Sequence, residues 1–397
     1  MPPKLLIFET HPIQYRAPVF QAMQKLAPDN FEVVYASDFS ARGYKDEGFG
    51  TNFAWDVPLL SGYPHRVLNN ETDRLAEHWS GLTAAGVDAL VGQLRPAAVL
   101  LSSMSYSFTW AAWWAAVRRG IPVWIRMETQ DEASERGPLK AIARSLIYRA
   151  LYSTVSQAFY IGQLSRKHLL RFGVPEKRLI AAHYCTPNPF AAMPNDEKGN
   201  RRKATRNQLG IATDSTVVAF FGKLIPKKDP ALIMTAVAQL QSQSSCPMAI
   251  LIVGSGELED EMRKQADELE FLTGIKTHFV GFINQSRLPD YYLASDLVVL
   301  PSRKMGETWG LVINEALQAG CAAVVSDAVG CSRDFGSWPR VRVVPVGDAD
   351  AMSKAIEELA ALPHDFCWAD KLIGAYSTDA AARAVVSAIA ALRTTSP

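Results

Sequence analysis

No apolar run in the 397 residues reaches the roughly 20 uncharged positions that a membrane-spanning helix requires. Cysteine is scarce, and the five present, Cys185, Cys246, Cys321, Cys331 and Cys367, are an odd number with no CxxC or Cys/His ligand spacing. That excludes a disulfide framework or a zinc knot and suits a reducing compartment. Charge of one sign is also lacking: 41 basic side chains face 40 acidic ones, for a formal net charge of +1. The whole-molecule field therefore does not favour a polyanion, and a dedicated nucleic-acid binder is not expected. The apolar stretch at residues 5–8 is too short for the core of a signal peptide. The expected location is the cytosol, either free or resting on the inner face of a membrane.

What is present is enough apolar residue, 48%, for two ordinary cores. Short runs rich in β-formers at residues 4–8, 31–36, 97–101 and 122–126 alternate with amphipathic stretches, the signature of parallel strands joined by helices. The pattern restarts near residue 216, with strands expected at 217–221, 249–253, 278–280, 297–300 and 322–326. Residues 184–199, with Pro187, Pro189, Pro194 and Gly199, read as a linker with its hinge near residue 190. The fold class is thus α/β, two doubly wound domains at 1–190 and 191–375 facing a cleft, with a last helix in 376–397 that packs back on the first domain.

The stretch from Pro301 to Leu317 carries the clearest chemistry. A strand ends, a loop holds Glu307, Thr308, Trp309 and Gly310, and a helix is expected to start near Gly310 and carry Leu311 and Glu315. Free backbone N–H groups and the positive dipole end of that helix offer a place for phosphate between two carboxylates. Carboxylates beside an anion make sense as acceptors for hydroxyl groups, and a nucleotide-activated sugar has hydroxyls on both sides of its diphosphate. A helix-start charge and a solvated helix residue account for the two glutamates equally well. Upstream, the strand at 217–221 ends in Gly222 and Lys223, with Lys227 and Lys228 close behind, where open α/β sheets bind ligands. Those lysines suit a diphosphate, or simply a solvated turn. Gly254, Ser255 and Gly256 follow another strand but lack the third glycine and the acidic ribose ligand of a dinucleotide fingerprint.

Taken together and in order, FFGKLIPKKDP, LIVGSGE, HFVGFINQSRLPDYYLASDLVVLPS and GETWGLVINEALQAGCAAVVSD resemble the carboxyl-terminal domain of retaining glycosyltransferases of the GT-B fold, family four. The resemblance implies that Glu307 faces the donor sugar and Glu315 the ribose, as the two glutamates of that family's E-x7-E motif. It likewise implies that Lys223 and Lys228 hold the diphosphate, the first standing where arginine is usual, and that the turn Gly281, Phe282, Ile283 meets the base. The amino-terminal half is less similar: in place of a glycine pair it has a loop reading HPIQY, similar to a bacterial subgroup of the family, with His11, Gln14 and Tyr15 as candidates to face the cleft. Glu128 stands where many relatives place a histidine beside the donor sugar, and pairing with Arg126 or Arg136 is the other account of it. The catalytic set expected is Glu307, Lys228, Glu128 and His11.

The resemblance implies transfer of a sugar from a nucleoside-diphosphate donor to a saccharide or lipid-linked acceptor, with retention and without a cofactor. No DxD-type motif stands where it could hold a metal, so metal independence is expected. A sugar-nucleotide epimerase, a phosphorylase-like enzyme, transfer to a soluble small molecule and a non-catalytic nucleotide-sugar-binding scaffold are the alternatives. Over residues 136–178 nine cations oppose the single acid Glu176. Within it, Leu139, Ile142, Ala143, Leu146 and Ile147 form one helical stripe with Lys140, Arg144 and Arg149 off it, which suits either an anionic membrane surface or a core-packed helix with a solvated basic face. Trp110, Trp113, Trp114 and Val117, at helical spacing, are expected in the core.

Overall fold

The computed structural model describes residues 4–46, 48, 51–69, 78–132, 138–241 and 247–392. The strands, in chain order, are β1 (Leu5–Glu9), β2 (Phe31–Tyr35), β3 (Tyr44–Asp46), β4 (Thr51–Phe53), β5 (His65–Val67), β6 (Ala98–Leu101), β7 (Val123–Met127), β8 (Val155–Tyr160) and β9 (Leu179–Ala181) in the first half. The second half has β10 (Thr216–Phe221), β11 (Met248–Val253), β12 (Lys276–Gly281), β13 (Leu297–Leu300), β14 (Ala322–Ser326) and β15 (Val341–Val344). Two sheets result, ordered β5-β2-β1-β6-β7-β8-β9 and β12-β11-β10-β13-β14-β15, with β3 and β4 as a separate antiparallel pair. Within both large sheets every pairing is parallel. Their central strands are apolar runs buried from end to end, as strands covered by helices on both faces must be.

Each sheet has its own core. Phe220, Leu251, Val299 and Val324 lie in the second, and the first is lined on one face by Leu6, Phe8, Val99 and Ile125. The helix Thr378–Ala391 lies against the helix Ala17–Leu26, and its Ala381, Ala382, Val385 and Ile389 are buried with Leu5, Ile7, Phe20 and Met23. The chain's end therefore completes the core of its beginning.

The sequence reading misses the separate pair β3 and β4 and, in the large sheets, β5, β8, β9 and β15, where the reason is visible. The three short ones have half-exposed positions, and β8 carries the half-buried polar pair Ser156 and Gln157. The expected linker at 184–199 also needs correction, because its last residues belong to the helix Asn195–Leu209. That helix has no apolar stripe to announce it. Its buried face is cationic instead: Arg206 donates to the carbonyls of Ala294 and Ser215 at 2.9 Å and pairs with Asp296 at 2.6 Å, while Arg202 donates to the carbonyls of Leu293 and Ser295 at 2.9 Å.

Several contacts join the two sheet domains. Asn314 donates to the carbonyl of Tyr184 at 3.1 Å and Gln318 to that of Thr186 at 3.2 Å, so the helix Leu311–Gln318 grips the connecting segment. Asp334 accepts the Gln163 amide, in the first turn of the helix Gln163–Arg171, at 3.1 Å, and the Tyr376 hydroxyl at 3.1 Å. Burial raises its carboxyl to about 6.

Candidate active site

In the second sheet β11 and β12 extend to one side of β10 and β13 starts the other, so the crevice where ligands bind lies beyond the carboxyl ends of β10 and β13. The loops leaving those two strands bring the expected charges together. The Lys228 ammonium pairs with the Glu307 carboxylate, their side chains 17% and 11% exposed, and the Ser302 hydroxyl donates to the same carboxylate at 3.3 Å. Lys227 donates to the carbonyl of Gly306 at 3.0 Å, and burial lowers the pKa of its ammonium. From the first domain Gln130, itself buried, donates to the carbonyl of Glu307 at 3.3 Å. Loop geometry here depends on Gly310, at φ 100° the residue before the helix Leu311–Gln318; a Cβ there would come within 2.7 Å of Leu300 and 2.9 Å of Val329.

Two cavities are reached by these loops, one by Gly222 after β10 and the other by Thr308, the neighbour of Glu307; Lys228 and Glu307 themselves line neither. The first, about 170 Å³, is lined by Gly222, Phe282, Ile283, Gln285, Tyr292, Leu311 and Glu315 of the second domain, with Gln14, Tyr15 and Trp55 from the first. Glu315 accepts the Tyr292 hydroxyl at 2.7 Å and the Gln285 amide at 3.0 Å, and burial raises its pKa. One wall is the stacked pair Phe221 and Tyr292, ring centres 3.9 Å apart. The second cavity, about 600 Å³, lies beyond β6 and β7 of the first domain, lined by Ser102, Ser103, Ser105, Glu128, Thr129 and Arg144, by the apolar Met104, Trp110, Ile147 and Leu151, and by Thr308 from the second domain. Glu128 lines it and accepts Arg126 at 3.4 Å, which is the pairing account of this residue. Arg136, the other candidate partner, lies outside the described residues.

Two families of sequence match this arrangement: residues 201–366 match the profile of the glycosyl transferases group 1, and residues 34–185 that of a glycosyl transferase 4-like domain. The chain belongs to the group 1 glycosyltransferases. It is 32% identical over 148 residues to the phosphatidyl-myo-inositol mannosyltransferase of Mycolicibacterium smegmatis, covering 37% of this chain and 36% of that one. It is 33% identical over 201 residues to the D-inositol 3-phosphate glycosyltransferase of the same organism, covering 44% and 43%. The matched segment thus spans less than half the length of these curated relatives. Among solved structures, Anabaena Alr3699/HepE in complex with UDP and glucose superposes with a TM-score of 0.60 at 18% identity over 98% of this chain and 97% of that one. That likeness, with the two parallel sheets, shows the GT-B fold of the family.

Not every residue expected at the site is there. Trp309 is only 3% exposed: its ring packs among Tyr184, Phe335 and Tyr376, and its indole N–H donates to Asn314 at 2.7 Å. A Cβ on Gly162 would lie 2.2 Å from it, so the tryptophan wedges the domain joint and does not face a donor. His11 is not among the residues lining either cavity. It lies 4.8 Å from the Phe39 ring, hydrogen-bonds Thr10 at 2.9 Å, and burial lowers its pKa to about 4, so it is neutral at ordinary pH. Lys223 runs against Gly48, whose Cβ would lie 2.6 Å from its side chain, and lines neither cavity. Gly254 and Gly256 serve packing: a Cβ on the first would strike the Gly222 carbonyl at 1.8 Å. Trp114 is 56% exposed and so is not a core residue. Sequence reasoning missed Gln130 and Trp55, which no motif marks, and Gln285, Tyr292 and Ser302, which lie in the HFVGFINQSRLPDYYLASDLVVLPS segment but become legible only as partners of Glu315 and Glu307.

Proposed function

We propose that this group 1 glycosyltransferase moves one sugar, with retention, from a nucleoside-diphosphate sugar onto a hydroxyl of an acceptor. The observation that supports the reading is the Glu307–Lys228 pair on the two loops whose neighbouring residues, Gly222 and Thr308, line a small cavity that includes Glu315 and a larger one that includes Glu128. The nucleoside occupies the first, with ribose hydroxyls donating to Glu315; the acceptor enters the second. Between them the bond from the sugar's anomeric carbon to the diphosphate breaks, the acceptor oxygen bonds to that carbon on the same face, and the acceptor's proton passes to the departing phosphate. No enzyme nucleophile is needed. Lys228 and the N–H groups at the start of the helix Leu311–Gln318 stabilise the charge that grows on the diphosphate, and Lys223 reaches it when it turns from Gly48. Glu307, freed from Lys228, orients the sugar. Glu128, held against Arg126, lies beside the cationic sugar carbon or a hydroxyl. Two lysines supply the neutralisation a metal gives elsewhere, so turnover persists in excess chelator.

The test is turnover of UDP-, GDP-, ADP- and dTDP-sugars by the unaltered chain and by Glu307→Gln. The variant should lose transfer while binding of the nucleoside diphosphate stays within about threefold, since the residue is assigned to the sugar. An equal loss of affinity and rate would remove Glu307 from that role, and product formed without any acceptor would favour an epimerase.

We propose further that the acceptor sits at a membrane, as part of cell-surface glycoconjugate synthesis. The apolar wall of the larger cavity continues outward onto Ile142, Leu146 and Ile147, 60%, 66% and 53% exposed, and the exposed Trp114. An apolar stripe this open, beside the exposed cations Lys167 and Arg171, suits an anionic leaflet and a lipid-linked acceptor. The stretch is less basic than its composition, because Asp131 holds Arg144 at 3.2 Å and Arg171 at 3.3 Å, and Glu132 holds Lys167 at 2.8 Å. Insertion of the apolar stripe therefore matters more than charge. Ile142→Asp with Leu146→Asp should abolish co-sedimentation with vesicles containing phosphatidylglycerol, and undiminished binding would refute the docking face.

A further inference from the structure

The smaller cavity is bordered by the amino-terminal domain through a clasp whose first-domain half, residues 54–56, lies outside the family motifs. Along residues 282–286, Ile283 and Gln285 line the cavity, while Asn284 and Ser286 turn to the first domain. Asn284 donates to the carbonyl of Ala54 at 2.8 Å and accepts the Asp56 amide at 3.4 Å. Asp56 in return accepts the Ser286 amide at 3.2 Å, and the Ser286 hydroxyl as well. The residue between the two clasping positions is Trp55, and its side chain joins the cavity wall. Gln285, between the two clasped residues on the other side, is the one that donates to Glu315. One short loop of the first domain thus brings an indole to the cavity and braces the turn that positions the ribose carboxylate.

Resting on the donor-site reading above, we propose that Trp55 is a nucleoside-binding residue, a cover supplied by the amino-terminal domain that lies over the base, and that the 54–56 clasp must open for the nucleotide to leave. Much of the remaining wall is made of backbone at Gly222 and Gly254 and of apolar side chains at Val253, Phe282 and Ile283. Such a wall grips a flat aromatic base only if something closes on its exposed face. Base–aromatic contact tolerates any base, so Trp55 supplies affinity and the turn at 282–285 is left to discriminate.

The experiment uses calorimetry with UDP, GDP, ADP and dTDP on the full chain, followed by stopped-flow dissociation of the one that binds best. Trp55→Ala should weaken that nucleotide by about ten- to a hundredfold and Trp55→Phe by no more than about threefold. Inorganic pyrophosphate, which reaches only the Lys228 end, should bind Trp55→Ala as it binds the unaltered protein. Asp56→Ala leaves the indole and its packing in place and should speed nucleotide dissociation several fold; it also keeps the test decisive should Trp55→Ala misfold. Equal nucleotide affinity and dissociation in the unaltered protein and both alanine variants would overturn the inference alone. A parallel loss of pyrophosphate in a folded Trp55→Ala protein would overturn it too. If the unaltered protein binds none of the four nucleotides, the glycosyl-transfer reading falls and this inference with it.

Discussion

Replacing Glu315 by glutamine separates binding from folding. In the free protein its carboxylate is buried, with its pKa raised, and it accepts the Tyr292 hydroxyl at 2.7 Å and the Gln285 amide at 3.0 Å. Glutamine keeps the shape, removes a charge that burial penalises and gives up one acceptor. Relief of desolvation and loss of one hydrogen bond, each about 0.5 to 1.5 kcal/mol, nearly cancel, so the free energy of urea unfolding should move by no more than about 1 kcal/mol. Binding has no such compensation. A ribose hydroxyl that donates to a carboxylate contributes about 1.5 to 3 kcal/mol, which at 1.4 kcal/mol per tenfold weakens the nucleoside diphosphate by about ten- to 150-fold. Calorimetry with the nucleotide and urea denaturation on the same preparation measure both. Unchanged affinity, or affinity and stability falling together, would refute the assignment of Glu315 to the ribose.

Lys228→Ala should lower kcat by about a hundredfold while weakening donor binding only several fold, because diphosphate charge grows as the glycosidic bond breaks; steady-state kinetics showing a KM effect alone would make Lys228 a ground-state contact. The same variant leaves Glu307 without its partner and should lose stability, which Lys228→Ala with Glu307→Gln should recover in a denaturation cycle. His11 gives the pH dependence. Its pKa falls from 6.5 unfolded to about 4 folded, so between those values the unfolded chain binds more protons and stability drops as pH falls from 6.5 toward 4. His11→Gln should flatten that part of the stability profile by up to about 3 kcal/mol, and identical profiles would mean the imidazole is not desolvated as placed.

The sequence by itself determined the two parallel sheets, because strands buried on both faces must be continuous apolar runs, and such runs at β1, β6, β7, β10, β11, β13 and β14 can be read without coordinates. It also determined that charge stands where strands end, at Lys228 and Glu307. Short edge strands such as β9 and β15 were not legible, since an edge needs little apolar surface. Nor was the helix Asn195–Leu209, whose arginines are held by the backbone carbonyls of Ala294 and Ser295 and by Asp296, 88 to 93 residues downstream. Only the tertiary structure decided the direction of a side chain in a loop. Trp309 turned inward to Asn314, His11 turned to Phe39, and Trp55, which no motif marks, turned to the cavity that Glu315 floors. Loops lack the periodicity that orients side chains on strands and helices, so a residue there acquires its direction only from the domain that packs against it.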